Sequence, residues 1–153
     1  MTGKEYLCQI SKLDNLINAK LQNLKYMKEL VYSLSAAPLQ ERVQSSSDGE
    51  ASYTGALQKI MSMEEQINRD IDRLIDTKQE ADDLISQLAD IDEQSVLRYR
   101  YISQMSWEDI ASLMKVSLRT TYRLHSNALK NFSEIFENSQ SMAVVVTTWQ
   151  SET

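Results

Sequence analysis

Residues 106–132 of the 153-residue chain read SWEDIASLMKVSLRTTYRLHSNALKNF, and this stretch decides how the fold is interpreted. Ser106 and Ser117 each precede an apolar pattern of helical period, and a serine there can accept hydrogen bonds from the free N–H groups of a helix start. Asp109 stands three residues after Ser106, which is a variant of the capping box. The stretch therefore predicts a short helix over residues 107–114, a brief turn, and a longer helix after Ser117.

The turn falls at Lys115 and Val116, and each predicted helix has an inward apolar face. The inward residues of the shorter helix are Ile110, Ala111 and Met114. Those of the longer helix are Thr121, Leu124, His125, Ala128, Leu129 and Phe132. A candidate binding surface remains, free of Asp and Glu, and it comprises Ser117, Arg119, Thr120, Tyr122, Arg123, Ser126, Asn127 and Lys130.

The residue types on that surface match the chemistry of duplex DNA. Arginine can donate two hydrogen bonds to guanine, asparagine can pair with adenine, and hydroxyls and lysine can hold phosphates. Ser117 and Thr120 also lie near a helix start, where backbone amides favour a phosphate. The pattern predicts DNA binding by a helix-turn-helix, and it leaves open a trihelical unit that binds protein or is purely architectural.

A third, supporting helix is predicted just upstream, with Asp92 as its cap and its end near Ser103. Its apolar residues are Val96, Leu97, Tyr101 and Ile102. Trp107 is interpreted as a packing residue rather than a phosphate contact. His125, the single histidine, is interpreted as a core residue with a hydrogen-bond partner, because no nucleophile or carboxylate partner accompanies it. We therefore expect no enzyme activity, no cofactor and no metal.

The first 90 residues predict a long antiparallel helical hairpin of coiled-coil type. Apolar residues recur at alternating three- and four-residue spacing over 4–34 and again over 55–89, with Lys20, Glu64 and Lys78 interrupting the seams. Residues 35–54 contain Pro38 and a Ser-rich run and are predicted to form a flexible loop. The fold expected is thus all-α, with a hairpin over 1–90 and a helix-turn-helix module over 91–137.

The remaining residues, 138–153, are expected to form a flexible tail. Their β-branched run leaves three alternatives open, which are pairing as a strand, docking on the hairpin, and self-association.

Charge is distributed unevenly along the chain. The net charge is -6, yet the segment from Arg98 to Lys130 holds 6 basic and only 2 acidic residues. Because binding depends on where charges lie, a total of this sign does not oppose an interaction with nucleic acid. Cys8 is the single cysteine and cannot form an intramolecular disulfide, and no leader or run of roughly 20 apolar residues is present. A cytoplasmic protein without a membrane partner is expected.

The motifs VLRYRYI from Val96, SWEDIA from Ser106, SLRTTYR from Ser117 and AL from Ala128 resemble region four of sigma factors. With the upstream helices, the chain resembles small phage proteins related to the ArpU and RinA late-gene regulators. The resemblance implies that Ser117 caps the recognition helix, that Ile110, Ala111 and Ala128 lie in the core, and that DNA is contacted from Arg119, Thr120, Tyr122, Arg123, Ser126 and Asn127. Lys115 and Thr121 depart from the family pattern, which usually has Gly and then Val or Ile.

These inferences favour a phage transcriptional regulator that binds double-stranded DNA and acts on late genes. The hairpin would then mediate homodimerisation or contact host RNA polymerase. Two alternatives remain open, namely a DNA-packaging component resembling a small terminase subunit and a protein-interaction adaptor that binds no DNA.

Overall fold

The computed structural model describes residues 1–35 and 48–151. All regular structure within these ranges is helical, which confirms the all-α prediction. The elements are α1 (Gly3–Ser35), α2 (Asp48–Ile85), α3 (Ile91–Leu97), a π-helical turn (Arg98–Ile102) that directly continues α3, α4 (Trp107–Met114) and α5 (Leu118–Ser151).

Polar side chains define where the helices begin. The Ser106 hydroxyl accepts a hydrogen bond from the Asp109 N–H at 3.2 Å, as predicted for the start of α4. The start of α3 corrects the prediction, because Asp90 rather than Asp92 is the cap, and its Oδ1 accepts from the N–H of Asp92 at 2.7 Å. The α3 helix begins one residue after Asp90, so the carboxylate of Asp92 already lies in its first turn, where it interacts favourably with the helix dipole.

The start of α1 has a capping box that the sequence analysis overlooked. The Thr2 hydroxyl accepts from the Glu5 N–H at 3.2 Å, and the Glu5 carboxylate accepts from the Thr2 N–H at 2.7 Å. The hydrogen bonds from Thr2 lower the pKa of Glu5, because they favour its charged form. The spacing Thr-x-x-Glu was readable from the sequence as a helix-start signature.

The predicted flexible loop over 35–54 is wrong in its second part, since α2 begins at Asp48. The remainder of that prediction, residues 36–47, lies outside the described residues. Nothing after residue 48 prevents a helix, because Gly49 and Gly55 each cost only about 1 kcal/mol relative to alanine. Extending a helix that packing already stabilises adds one hydrogen bond per residue. At its other end α2 stops at Ile85, earlier than the predicted residue 89.

The predicted flexible tail over 138–153 is also corrected, because α5 continues to Ser151. Residues 118–151 contain neither glycine nor proline. The Ser141 hydroxyl donates to the Glu137 carbonyl at 3.1 Å within the helix. The β-branched run from residue 144 lowers helix propensity by only about 0.5 kcal/mol per residue, which does not end a helix that is already formed.

The chain divides into two compact units, and the division corrects the predicted boundary at residue 90. Unit 1 comprises residues 1–13 and 75–153, and unit 2 comprises residues 14–74. The boundary falls inside α1 and α2, because the first turns of α1 and the last turns of α2 pack with the C-terminal helices.

In unit 2, α1 and α2 run in opposite directions around a shared apolar core. Its buried residues are Leu24, Val31, Ile60 and Ile67, with Ala56, Met63 and Ile71 packed against them. The Lys20 ammonium donates to the Asp70 carboxylate at 2.6 Å, and Lys28 pairs with Glu64. These ion pairs explain why Lys20 and Glu64 interrupt the apolar seams, and they set the register of the two helices. The hydrogen bond from Lys20 lowers the pKa of Asp70.

In unit 1, the C-terminal helices pack on the ends of the two long helices. The largest fully buried side chains are Leu7, Ile10, Ile85, Val96, Leu97, Ile110, Thr121 and Phe132. The amide of Asn131 on α5 donates to the carboxylate of buried Glu93 on α3 at 2.9 Å. The α3 and α5 helices are thereby joined by a polar contact as well as by apolar packing.

The first residue of α1 approaches the backbone of α5 very closely. A Cβ on Gly3 would lie 2.9 Å from the Ser133 Cα, whereas a Cβ on Gly55 would meet nothing within 4 Å. We therefore expect Gly3→Ala to lower the free energy of unfolding by about 1–3 kcal/mol through overpacking. Gly55→Ala should raise it by about 0.5–1 kcal/mol, because alanine is the better helix former. Urea denaturation compares the two, and equal effects would contradict the close approach.

Within residues 1–35 and 48–151, no helix combines the length and the apolar character needed to cross a bilayer. The same residues contain no group of three or more His, Cys, Asp or Glu side chains placed to hold a metal ion.

Candidate nucleic-acid interface

The junction between α4 and α5 is a sharply defined turn. Lys115 follows α4 in the left-handed conformation, with φ 57° and ψ 42°. The Val116 N–H donates to the Ala111 carbonyl at 3.1 Å and the Lys115 N–H to the Ser112 carbonyl at 3.2 Å, which is the Schellman pattern of a helix end. The turn predicted at Lys115 and Val116 is confirmed, and hydrogen bonds hold it although its left-handed residue is not glycine.

The left-handed conformation of Lys115 gives a prediction about stability. A side chain with a Cβ costs roughly 1–2 kcal/mol in this region of the backbone. Lys115→Gly is therefore expected to raise the free energy of unfolding by about 1 kcal/mol, after its greater freedom in the unfolded chain is subtracted. Lys115→Ala keeps the Cβ and should show no such gain. Chemical denaturation measures both, and a Gly variant no more stable than the Ala variant would contradict this argument.

Ser117 caps α5, as predicted. Its hydroxyl accepts from the Thr120 N–H at 3.1 Å and donates to the Thr120 hydroxyl at 3.0 Å. Thr120 is half-buried, and its side chain serves this cap. Ser117 and Thr120 therefore stabilise the start of α5. A phosphate bound there would contact the backbone N–H groups beside them.

The other predicted members of the surface are all exposed on α5. They are Arg119, Tyr122, Arg123, Ser126, Asn127 and Lys130. At about 100° per residue, the side chains of Arg119, Arg123, Ser126 and Lys130 fall within an arc of about 60°. The opposite side of the helix carries Thr121, Ala128 and Phe132, which are 0% exposed. We call the residues Arg119, Arg123, Ser126, Asn127 and Lys130 the basic face.

The basic face ends at Lys130. The same side of α5 continues with Glu134 and Glu137, both exposed. Their negative charge limits the favourable surface for a polyanion to the first four turns of the helix.

Two of the six basic residues between Arg98 and Lys130 make contacts that stabilise the fold. Arg98 donates to the Asp82 carboxylate at 2.5 Å and to the Ser86 hydroxyl at 2.7 Å, which joins the π-helical turn to the end of α2. Arg100 lies 4.3 Å from the centre of the Trp107 ring and donates to the Met105 carbonyl at 3.0 Å. The exposed positive charge of this segment therefore comes from Lys115, Arg119, Arg123 and Lys130.

A family model described as "Protein of unknown function (DUF1492)" matches residues 47–133, more than half of the chain. The chain belongs to the DUF1492 family. Comparison with curated proteins and with solved structures found no match. The DUF1492 region covers all of α2, then α3, the π-helical turn, α4 and the part of α5 that carries the basic face.

An aromatic cluster supports the turn in the DUF1492 region. The Trp107 ring meets the His125 ring edge-on at 4.6 Å and the Tyr122 ring at 5.2 Å, between centroids. The Tyr101 hydroxyl lies 2.8 Å from His125 Nε2, within hydrogen-bond distance. This confirms that His125 is a packed residue with a polar partner and that Trp107 packs on its neighbours.

Burial and the nearby positive charges of Arg100 and Lys4 lower the pKa of His125 to about 4. Burial raises the pKa of Tyr101 to about 12. At neutral pH both side chains are therefore uncharged, which suits a packed position and gives no support to an acid or base role.

The lowered pKa of His125 predicts a pH-dependent stability. In the unfolded chain this histidine takes a proton near its ordinary value of 6.5, while in the folded state it stays neutral to about pH 4. The unfolded state binds more protons in that window, so the free energy of unfolding should fall as the pH is lowered through it. Urea denaturation of the protein and of His125→Gln over this range tests the effect. The variant should lose part of the slope, and identical slopes would contradict the assignment.

Leu118 and Arg100, both in the DUF1492 region, were not among the residues predicted for this surface. Leu118, the first residue of α5, is 40% exposed, and the Arg100 guanidinium lies 4.3 Å from the centre of the Trp107 ring. An apolar residue at an exposed helix start was visible in the sequence. The cation-π contact of Arg100 was not, because it depends on how the π-helical turn packs.

Proposed function

We propose that this DUF1492 protein binds duplex DNA in a sequence-specific manner, with the start of α5 in the major groove. The observation that carries the proposal is the basic face, an acid-free surface of α5 lying opposite a fully buried side of the same helix. A capped short helix, a hydrogen-bonded turn and a capped longer helix are the elements that present a recognition helix.

In this proposal Arg119 and Arg123 donate to the edges of guanine bases, and Asn127 pairs with adenine. Lys115 and Lys130 lie at either end of the face and bind phosphates, which sets the register on the duplex. Residues 118–130 span about 18 Å at 1.5 Å per residue, a length that matches about five base pairs.

The biological role proposed is that of a phage-type transcriptional regulator of late genes, as the likeness to sigma region four and to ArpU and RinA implies. Unit 2 then mediates dimerisation or contact with RNA polymerase. Two paired helices leave large apolar residues uncovered there, among them Leu16 at 50%, Tyr32 at 65% and Met61 at 60% exposure.

The binding proposal is tested by selecting ligands for the full chain from a pool of random duplexes. The expected result is an enriched motif whose complex weakens as salt is raised, since each neutralised phosphate releases counterions. A shuffled duplex of the same composition is the control. If no motif is enriched and the shuffled duplex binds equally well, the protein is not a sequence-specific DNA-binding protein, and an adaptor role is favoured.

Light scattering on the full chain tests the biological role separately. A regulator is expected to be a monomer or dimer, whereas a ring of eight or more subunits would favour DNA packaging.

A further inference from the structure

An apolar border runs beside the basic face on α5. Leu118 and Tyr122 are one turn apart on the same side of the helix and are 40% and 47% exposed. Arg119 and Arg123 follow each of them directly in sequence and point about 100° further around the helix, so the border and the basic face lie side by side.

The fold holds the ring of Tyr122 in place while leaving nearly half of it in solvent. Trp107 contacts it edge-on at 5.2 Å between centroids, and the guanidinium of Arg100 lies 4.3 Å from the centre of the Trp107 ring. A side chain that is already oriented loses little conformational freedom when it binds. The exposed part of Tyr122 is therefore a rigid apolar surface beside a hydrogen-bonding one.

Packing in the core of unit 1 does not explain why Leu118 and Tyr122 are apolar. Thr121, Ala128 and Phe132 fill the buried side of α5 and are 0% exposed, whereas Leu118 and Tyr122 keep large apolar areas in contact with water. A major groove offers one apolar group to such a surface, which is the 5-methyl group of thymine.

We propose that Leu118 and Tyr122 contact thymine methyl groups next to the bases read by Arg119 and Arg123. This inference rests on the proposed DNA binding and adds to it a second kind of base recognition. Trp107 is a positioning residue in this arrangement because it contacts the Tyr122 ring, and Arg100 acts through its contact with Trp107.

The test uses a duplex selected by the full chain, in which each thymine is replaced in turn by deoxyuridine. Removing one contacted methyl group should weaken binding by the unaltered protein about fourfold, the value of one buried methylene-sized group. Leu118→Ala and Tyr122→Ala should each abolish the difference between thymine and uracil at one position. Tyr122→Phe keeps the ring and should retain that difference. Circular dichroism and thermal unfolding show that each variant is folded.

The possible outcomes separate this inference from the one on which it depends. If no duplex is selected, DNA binding itself fails. If a duplex binds tightly but thymine and uracil are equivalent, or the variants discriminate as the unaltered protein does, the methyl contact is wrong and DNA binding stands. If Tyr122→Phe abolishes the difference between thymine and uracil although the ring is kept, the ring does not make the methyl contact and the inference is overturned.

Discussion

Replacing Arg119 and Arg123 together by alanine is expected to weaken binding to a selected duplex by about 30-fold or more. Each arginine that donates two hydrogen bonds to a guanine contributes about 1–3 kcal/mol of discrimination, and 1.4 kcal/mol corresponds to a factor of ten. Both side chains are exposed on α5, so their loss should leave the fold intact. Fluorescence anisotropy on the selected and the shuffled duplex measures the effect, and the preference between the two should largely disappear.

The matched control is the double variant Lys12→Ala with Lys59→Ala. Both lysines are exposed and lie on α1 and α2, so the control removes the same charge from a different surface. Exposed charges that do not contact the DNA are screened at physiological salt, and the control should change affinity by less than about threefold. Equal losses in the two double variants would show that binding follows net charge and that the basic face has no special role.

Replacing Phe132 by alanine is expected to lower the free energy of unfolding by about 3–5 kcal/mol, the range for deleting a buried aromatic side chain. Phe132 is 0% exposed and lies 6.3 Å from Phe136 between ring centroids. It is also 3.0 Å from where a Cβ on Gly3 would stand, so it joins α5 to the start of α1. Urea denaturation followed by circular dichroism measures the loss.

Leu113→Ala serves as the comparison, because Leu113 lies in the same unit and is 54% exposed. Substitutions at exposed positions usually change stability by less than about 0.5 kcal/mol. If Phe132→Ala lowered the free energy of unfolding no more than Leu113→Ala, the buried side of α5 would be assigned wrongly. The assignment of the basic face on the opposite side would then be wrong as well.

The local signals in the sequence predicted the helices and the turn over residues 106–132 well. Ser106 and Ser117 each cap a helix, and Ile110, Thr121 and Ala128 are buried as their spacing indicated. These features depend on hydrogen bonds between residues three or four apart and on helical periodicity, and both can be read directly from a sequence. The exposure of Arg119 and Arg123 follows from the same periodicity.

The errors arose where a local signal was weak and packing decided the outcome. Residues 48–54 and the β-branched segment after residue 143 favour non-helical structure only slightly, and both are helical. Propensities of a few tenths of a kcal/mol per residue cannot oppose a helix that tertiary contacts already hold.

By itself the sequence determined the all-α fold, the capped helices and the polar outward side of α5, because each depends on neighbours within a few residues. Only the tertiary structure decided which positive charges are exposed and available for binding. It uses Arg98 to bind Asp82 and Arg100 to cover Trp107, and it leaves Arg119 and Arg123 exposed. It also placed the unit boundary within α1 and α2. An arginine in a sequence has the same charge wherever it lies, and whether it pairs with a residue far along the chain depends on how the helices pack.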